Sequence, residues 1–311
     1  MKQPDNKRSY IPDWRREQLF KPQAVYAVNC HIPDCLCPAQ EKQCTRGFFS
    51  LFIQAIYGIV FARANGIPYY INYGNVEYPY SSLTPEHKFN FWNNYFEQAV
   101  PDENEADKTL VENRFIEVYP LRVWSKKHIR LLHNEGFKHI SFKPEILKLI
   151  EQDSKQFNKQ KVLGVQIRRT DHGQEIHPVS HKAYLMQIKK ELKHYDRLFI
   201  ATDSSQVSEE FKQLFPDKYI DITTQRSSSD QPLHIKPGQD RRFRLGYEVL
   251  RDCYLLSRCD KAILMHSNIS YAALIMNPDL PYTLMERWPT RLSKWKTLLV
   301  YYLNEWGIRK W

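Results

Sequence analysis

The sequence predicts an α/β fold with a doubly wound parallel sheet, on three observations. From Lys161 onward, apolar runs of strand length alternate with stretches whose apolar residues recur at helical spacing. Ahead of them, Ala24–Gly74 reads strand, helix, strand, the opening of a βαβ unit. The most polar short motifs, Arg168–Asp171, Asp203-Ser204 and His266–Asn268, fall where strands of that pattern end, and open parallel sheets bind ligands there. At 311 residues the chain is about twice an ordinary domain, so two domains are expected. The expected division is 1–155 and 156–286, followed by a C-terminal helix at 287–311.

Residues 1–24 are a polar, Pro-interrupted lead-in without the apolar run of a secretory leader, so a cytoplasmic location is expected. Ala24–Asn29 (AVYAVN) is the first strand, followed by a Cys/Pro-rich loop to Cys44. In GFFSLFIQAIYGIVFARANGI, Phe48, Leu51, Phe52, Ala55, Ile56, Ile59 and Val60 recur at helical spacing. This longest apolar run, Gly47–Ala64, is short for a bilayer span and contains Gln54 and Arg63, so it reads as a buried helix. Asn65-Gly66 supplies its stop, and Tyr69–Gly74 (YYINYG) the second strand. Asn75–Glu145 is loop-rich and aromatic, densest at Phe89–Gln98 (FNFWNNYFEQ).

The second half is more regular. Val162–Ile167 (VLGVQI) is a continuous apolar strand, and Tyr184, Ile188 and Leu192 form one helical stripe in SHKAYLMQIKKEL. Arg197–Thr202 is a strand, VSEEFKQLF a helix and KYIDI a short strand. Arg244–Cys259 is a helix, KAILM a strand and NISYAALIM a helix. In Arg287–Trp311, six cations face Glu305 alone, and four of the seven Trp lie there. Leu292, Trp295, Leu299, Tyr302, Leu303 and Trp306 form its stripe. It reads as a packing helix with buried Trp residues, or as a peripheral contact with an anionic membrane.

The composition, 42% hydrophobic and 26% charged, excludes a wholly disordered or fibrous chain. A net charge of +10 suits an anionic partner: nucleic acid, membrane surface or a phosphorylated small molecule. Six Cys without a leader point to a reducing compartment. Cys30, Cys35, Cys37 and Cys44, spaced C-x4-C-x-C-x6-C, fit a zinc site only loosely, so a structural zinc is the lesser alternative and no metal is the expected reading.

RRTD (Arg168–Asp171) directly follows an apolar strand, and two adjacent guanidiniums there form a permanent fork for phosphate oxygens. The alternative is a surface salt-bridge cluster. DHGQEIHP (Asp171–Pro178) offers Glu175 as a general base with His172 and His177 nearby, or is an ordinary solvated loop. Ser204 or Ser205 in ATDSS reads as a helix N-cap. HSNIS (His266–Ser270) has the same position: its hydroxyls and helix amides can receive a diphosphate, or Ser267 merely caps. The sequence lacks G-x-S-x-G, G-x-G-x-x-G, a Walker A loop and H-E-x-x-H, which removes support for the corresponding hydrolases, dehydrogenases, NTPases and zincins. It also lacks D-x-D, the acidic pair with which many nucleotide-sugar transferases hold a metal.

Together these motifs resemble a family. GVQIRRTDHGQEIHP is similar to the H-V-R-R-T-D-K segment, with its downstream Glu and HP, of α1,6-fucosyltransferases and their NodZ-like bacterial relatives. The HxRRxD core is shared with α1,2-fucosyltransferases. LFIATDSS resembles the second motif, a strand ending in A-T-D-D, and LRDCYLLSRCDKAILMHSNISYAALI the third. GFFSLFIQ aligns loosely with the family's opening helix. The likeness covers about Lys161–Leu284 well and Arg46–Tyr73 weakly. Gln166 stands at the family's first His, His172 at the Lys after RRTD, and the loop to Glu175 is two residues shorter.

The resemblance implies a GT-B-like fold of two Rossmann-like domains, the first on the acceptor side and the second holding the donor. It implies an inverting, metal-independent glycosyltransferase using GDP-fucose. Arg168 would hold the β-phosphate, Arg169 and Asp171 would shape that pocket, and Glu175 would be the base. Asp203 falls on the second motif's Asp, and Ser267 and Asn268 on the third motif's donor-binding segment. Asp252 falls on the Asp that pairs with guanine, and Gln166 can also hydrogen-bond that base. The acceptor would be a cell-surface polysaccharide or oligosaccharide, lipid-linked if the basic tail sits on a membrane, and the aromatic middle region would offer a sugar-stacking surface. The alternatives are a transferase of another GDP-sugar, or a non-catalytic binder of nucleic acid or glycan. No RNP, KH or helix-turn-helix pattern supports a nucleic-acid partner.

Overall fold

The computed structural model describes residues 25–29, 46–74, 78–81, 90–98, 110–111, 122–157, 159–169, 179–228, 241–306 and 308. These belong to two compact units. One comprises Met1–Lys143 with Trp295–Trp311, the other Pro144–Lys294.

In the first unit, β1 (Tyr26–Asn29), α1 (Phe48–Ala64) and β2 (Tyr69–Asn72) form the expected βαβ opening. β1 lies between β2 and β4 (Leu110–Val111) in a parallel sheet, with Tyr26 opposite Tyr69. β3 (Phe96–Glu97) pairs antiparallel with β5 (Ser141–Phe142). α1 is buried along nearly its whole length, as its apolar run requires, and its polar Gln54 is held by Arg46. Gly66 ends the helix at φ +66°, where a side chain would be strained. Ile67 N–H reaches Ala62 O at 2.9 Å and Gly66 N–H reaches Arg63 O at 3.1 Å, the paired closure of a Schellman stop.

The aromatic middle region corrects an expectation. Phe91, Trp92, Tyr95 and Phe96 are all buried. Phe48 of α1 meets Tyr80, Phe91 and Tyr95 edge-on at centroid distances of 5.5, 5.5 and 5.2 Å. These rings are the core of the unit, not a surface on which a sugar stacks, because edge-to-face packing satisfies them internally. The region also contains a helix, α2 (Lys126–Glu135), that the loop reading omitted.

The second unit begins with α3 (Pro144–Asp153) and is built on the parallel sheet β7-β6-β8-β9. Its strands are β6 (Val162–Ile167), β7 (Arg197–Thr202), β8 (Lys261–Met265) and β9 (Tyr282–Met285). β6 is buried at every position, the environment that a continuous apolar strand demands. Its core face packs with Tyr184 and Ile188 of α4 (His181–Glu191) and with Val207 and Phe211 of α5 (Ser205–Leu214). Gly164 lets α6 (Arg242–Ser257) approach β6: an added Cβ would lie 2.8 Å from Leu256 and 2.6 Å from Cys259. α7 (Asn268–Met276) follows β8. KYIDI makes only a single bridge, Tyr219 to Leu198, instead of a strand.

α8 (Trp288–Glu305) contributes its start to the second unit and Trp295 onward to the first. Its buried contact is tyrosine, not tryptophan. Tyr301 is buried, its hydroxyl 2.9 Å from His128 Nδ1, and the Tyr302 hydroxyl lies 2.6 Å from Ser125 Oγ. Trp288, Trp295 and Trp306 are 70%, 59% and 67% exposed, so these Trp residues are not the buried side of the helix that the sequence led one to expect. The tyrosines dock because hydroxyls find polar partners on α2, and the Trp row points elsewhere.

Candidate functional site

The carboxyl ends of β6, β7, β8 and β9 carry the polar motifs. Gln166, buried near the end of β6, accepts hydrogen bonds from Ser267 Oγ and Ser270 Oγ, both at 3.2 Å. Ser267, also buried, caps α7 by accepting from Ser270 N at 3.1 Å. The two residues therefore fix each other and form the floor beneath the sheet edge. Asn268, the first residue of α7, is half-buried.

Asp203 joins the two arginines. Its Oδ1 accepts from Arg169 N at 2.9 Å, and its Oδ2 lies 3.8 Å from Arg168 Nε. Arg168 N also points at Met265 Sδ, 3.2 Å away, tying the end of β6 to β8. Ser204 caps α5 by accepting from Val207 N, as its position predicts.

The guanidiniums have different surroundings. Arg169 Nη1 donates to Val179 O at 3.2 Å, and its guanidinium sits 5.9 Å from the Tyr184 ring centroid. Arg169 Nη2 and the Tyr184 hydroxyl are buried without a hydrogen-bond partner among the described residues. Burial raises the Tyr184 phenol, with the Arg169 charge opposing, so the ring keeps its proton as a donor. Tyr184 read only as part of a core stripe. Its hydroxyl next to Arg169 becomes visible once α4 is packed on the sheet.

An open cleft of about 560 Å³ lies alongside Val179, whose carbonyl accepts from Arg169. It is lined by Val179, Ser180 and Ala183 at the start of α4 and by Leu284–Arg287 at the end of β9. Its volume falls in the usual range for small-ligand sites. Glu286, which no sequence motif marked, is nearly buried there. Its carboxylate meets His266 Nε2 at 2.8 Å and Lys294 Nζ at 2.6 Å. Burial would raise its carboxyl, but the hydrogen bonds and charges of Lys294 and His266 outweigh this and lower it.

Asp252 belongs to a second cluster. Its Oδ1 accepts from Arg251 Nε and Nη2 at 3.1 and 2.9 Å. Arg251 also donates to Asp153 Oδ2 at 2.9 Å, Thr223 O at 3.1 Å and Thr224 Oγ1 at 2.6 Å. Burial opposes the guanidinium charge, and Asp252 and Asp153 more than restore it. Glu248 holds the same loop by accepting from Gln225 N at 2.6 Å. Thr223, Thr224, Gln225, Arg241 and Arg244 line a cleft of about 370 Å³ beside it.

The structure thus brings Gln166, Arg168, Arg169, Asp203 and Ser267 to one sheet edge. Asp171, Glu175, His172 and His177 lie outside the described residues, as do Cys30, Cys35, Cys37 and Cys44. Cys253 and Cys259 are free and buried, and burial raises both thiols. Among the described residues, no group of three or more His, Cys, Asp or Glu could hold a metal ion. No described helix is long and apolar enough to cross a membrane.

No family model and no curated protein matches the chain. Solved structures do. The selenomethionine structure of the fucosyltransferase NodZ from Bradyrhizobium is 17% identical, with a TM-score of 0.50 over 82% of this chain and 92% of its own. A second structure of that enzyme is 16% identical, with a TM-score of 0.50 over 82% and 93%. A NodZ α-1,6-fucosyltransferase crystal soaked with GDP-fucose gives 18% identity and a TM-score of 0.49 over 86% and 96%. With a parallel sheet flanked by helices in each unit and this likeness to NodZ, the chain has a GT-B-like α/β fold.

Proposed function

We propose that the protein is an inverting, metal-independent glycosyltransferase that moves fucose from GDP-fucose to a hydroxyl of a glycan acceptor. One observation carries the reading: Asp203 joins Arg168 to Arg169, and the buried Arg169 Nη2 and Tyr184 hydroxyl have no hydrogen-bond partner among the described residues. Leaving such a group unsatisfied costs about 1–3 kcal/mol, and a diphosphate would satisfy both. The three motifs that resemble fucosyltransferases, and the fold of an enzyme named as one, support GDP-fucose as the donor.

The chemistry follows from charge. Breaking the bond between sugar C1 and the β-phosphate oxygen leaves its electron pair on GDP. Arg168 stabilises that growing charge more in the transition state than in the ground state. The acceptor oxygen attacks C1 from the opposite face and gives its proton to Glu175, the base that the resemblance implies. A single displacement inverts the anomeric centre. Arg168 and Arg169 supply positive charge that D-x-D transferases draw from a metal, with Asp171 shaping their loop. Asp252, oriented by Arg251, would accept from guanine, with Gln166, Ser267 and Asn268 fixing the sheet edge beneath the donor.

The test is a glycan array incubated with sugar-labelled GDP-fucose, followed by NMR of the product. Label on a glycan with inverted anomeric configuration is expected. Retained configuration, or no transfer to any glycan, would overturn the proposal.

A further inference from the structure

The most exposed apolar feature of the described residues is a row along α8. Trp288, Leu292, Trp295, Leu299 and Trp306 are each more than 40% exposed. At 100° per residue Trp288, Leu292, Trp295 and Leu299 of α8 fall within an arc of roughly 60° over about 17 Å, and Trp306 lies one residue past the end of the helix. Arg291 and Lys296, both exposed, lie on either side of that arc. The opposite side of the helix is already used: Tyr301 is buried, its hydroxyl on His128. Exposed rows of this kind mark an interaction surface, since hydration of five large apolar side chains is unfavourable.

We propose that this row lies on an anionic lipid surface, in the plane of the headgroups. The occupant follows from chemistry. Cations flank the apolar arc on both sides, the pattern of an amphipathic helix lying in an anionic interface. Arg291 and Lys296 are long enough to reach headgroup phosphates while the rings enter the acyl boundary. Trp is suited to that boundary because its ring is apolar and its indole N–H polar. The sequence adds Arg309, Lys310 and Trp311 directly beyond, and six cations against Glu305 give the segment from Arg287 its surplus. With no described helix able to span a bilayer, the contact is peripheral. The proposal is independent of the donor assignment.

The full chain is tested by co-sedimentation with vesicles of phosphatidylcholine alone and with 30 mol% phosphatidylglycerol added. Binding to the anionic vesicles, and loss of most of it on raising salt from about 0.1 to 0.5 M, are expected. Leu292→Ser/Trp295→Ser/Leu299→Ser should weaken it about tenfold or more. A charge-reversal variant, Arg291→Glu/Lys296→Glu, leaves the apolar row intact and should weaken it about tenfold as well. Thermal melting checks that each variant folds, and the wild-type salt series stands without either. Equal binding to neutral and anionic vesicles, or none to both at low salt, would overturn the proposal. So would a lipid-free dimer in sedimentation velocity that the serine variant converts to monomer, since the row would then bind a second copy.

Discussion

Replacing Tyr184 with Phe should move stability and ligand affinity in opposite directions. Among the described residues the buried Tyr184 hydroxyl has no hydrogen-bond partner, and neither does Nη2 of Arg169, whose guanidinium lies 5.9 Å from the Tyr184 ring centroid. In the free protein the hydroxyl is therefore a cost, and Tyr184→Phe should leave stability unchanged or raise it by about 1 kcal/mol. If that hydroxyl exists to meet a phosphate oxygen, its removal takes a hydrogen bond to a charged group out of the complex. Such bonds contribute about 1.5–3 kcal/mol, so GDP affinity should fall roughly 10- to 150-fold. Urea unfolding without ligand gives the first quantity and isothermal titration with GDP the second. A variant destabilised by more than about 1 kcal/mol, or one binding GDP like wild type, would refute the reasoning. The first result would mean that Tyr184 already has a partner in the free protein, and the second that the anion lies elsewhere.

Arg168→Lys keeps the charge but loses the planar fork, and turnover should drop about 10²-fold, with full activity contradicting the role. Activity should persist in EDTA, because the arginines carry the charge; loss restored by Mg²⁺ or Mn²⁺ would reverse this. Glu286 has a carboxyl lowered from its ordinary 4.5, so its interactions with Lys294 and His266 stabilise the fold above that value. That stabilisation is lost as pH falls through the lower folded value. The stability gap between wild type and Glu286→Gln should then be full at pH 7 and narrow as pH falls below 4.5, and a gap unchanged by acid would count against it.

Much of this architecture is legible in the residue pattern. Short apolar runs such as VLGVQI fit strands covered on both faces, as β6 is, and the sheet edge follows from where they end. Short or polar elements are harder to read. β9 is four residues at the edge of its sheet with a half-exposed pattern, and α2 and α3 bury only two or three side chains each. Gln166, Arg168, Arg169, Asp203 and Ser267 are adjacent to strand ends, so their convergence could be expected from topology. Tyr184 and Glu286 could not, because their importance arises from contacts made across the fold: one with Arg169, the other with His266 and Lys294. The aromatic core misled for the same reason, since composition cannot distinguish rings that stack on one another from rings that wait for a sugar.

The central claim is fucose transfer from GDP-fucose, and donor competition tests it most directly. Equimolar GDP-fucose, GDP-mannose and UDP-glucose, incubated with the protein and a mixed glycan acceptor, are followed by mass spectrometry. Depletion of GDP-fucose with matching release of GDP, abolished by Arg168→Ala, is the predicted result. Depletion of another donor, or of none while the protein binds GDP, would contradict it.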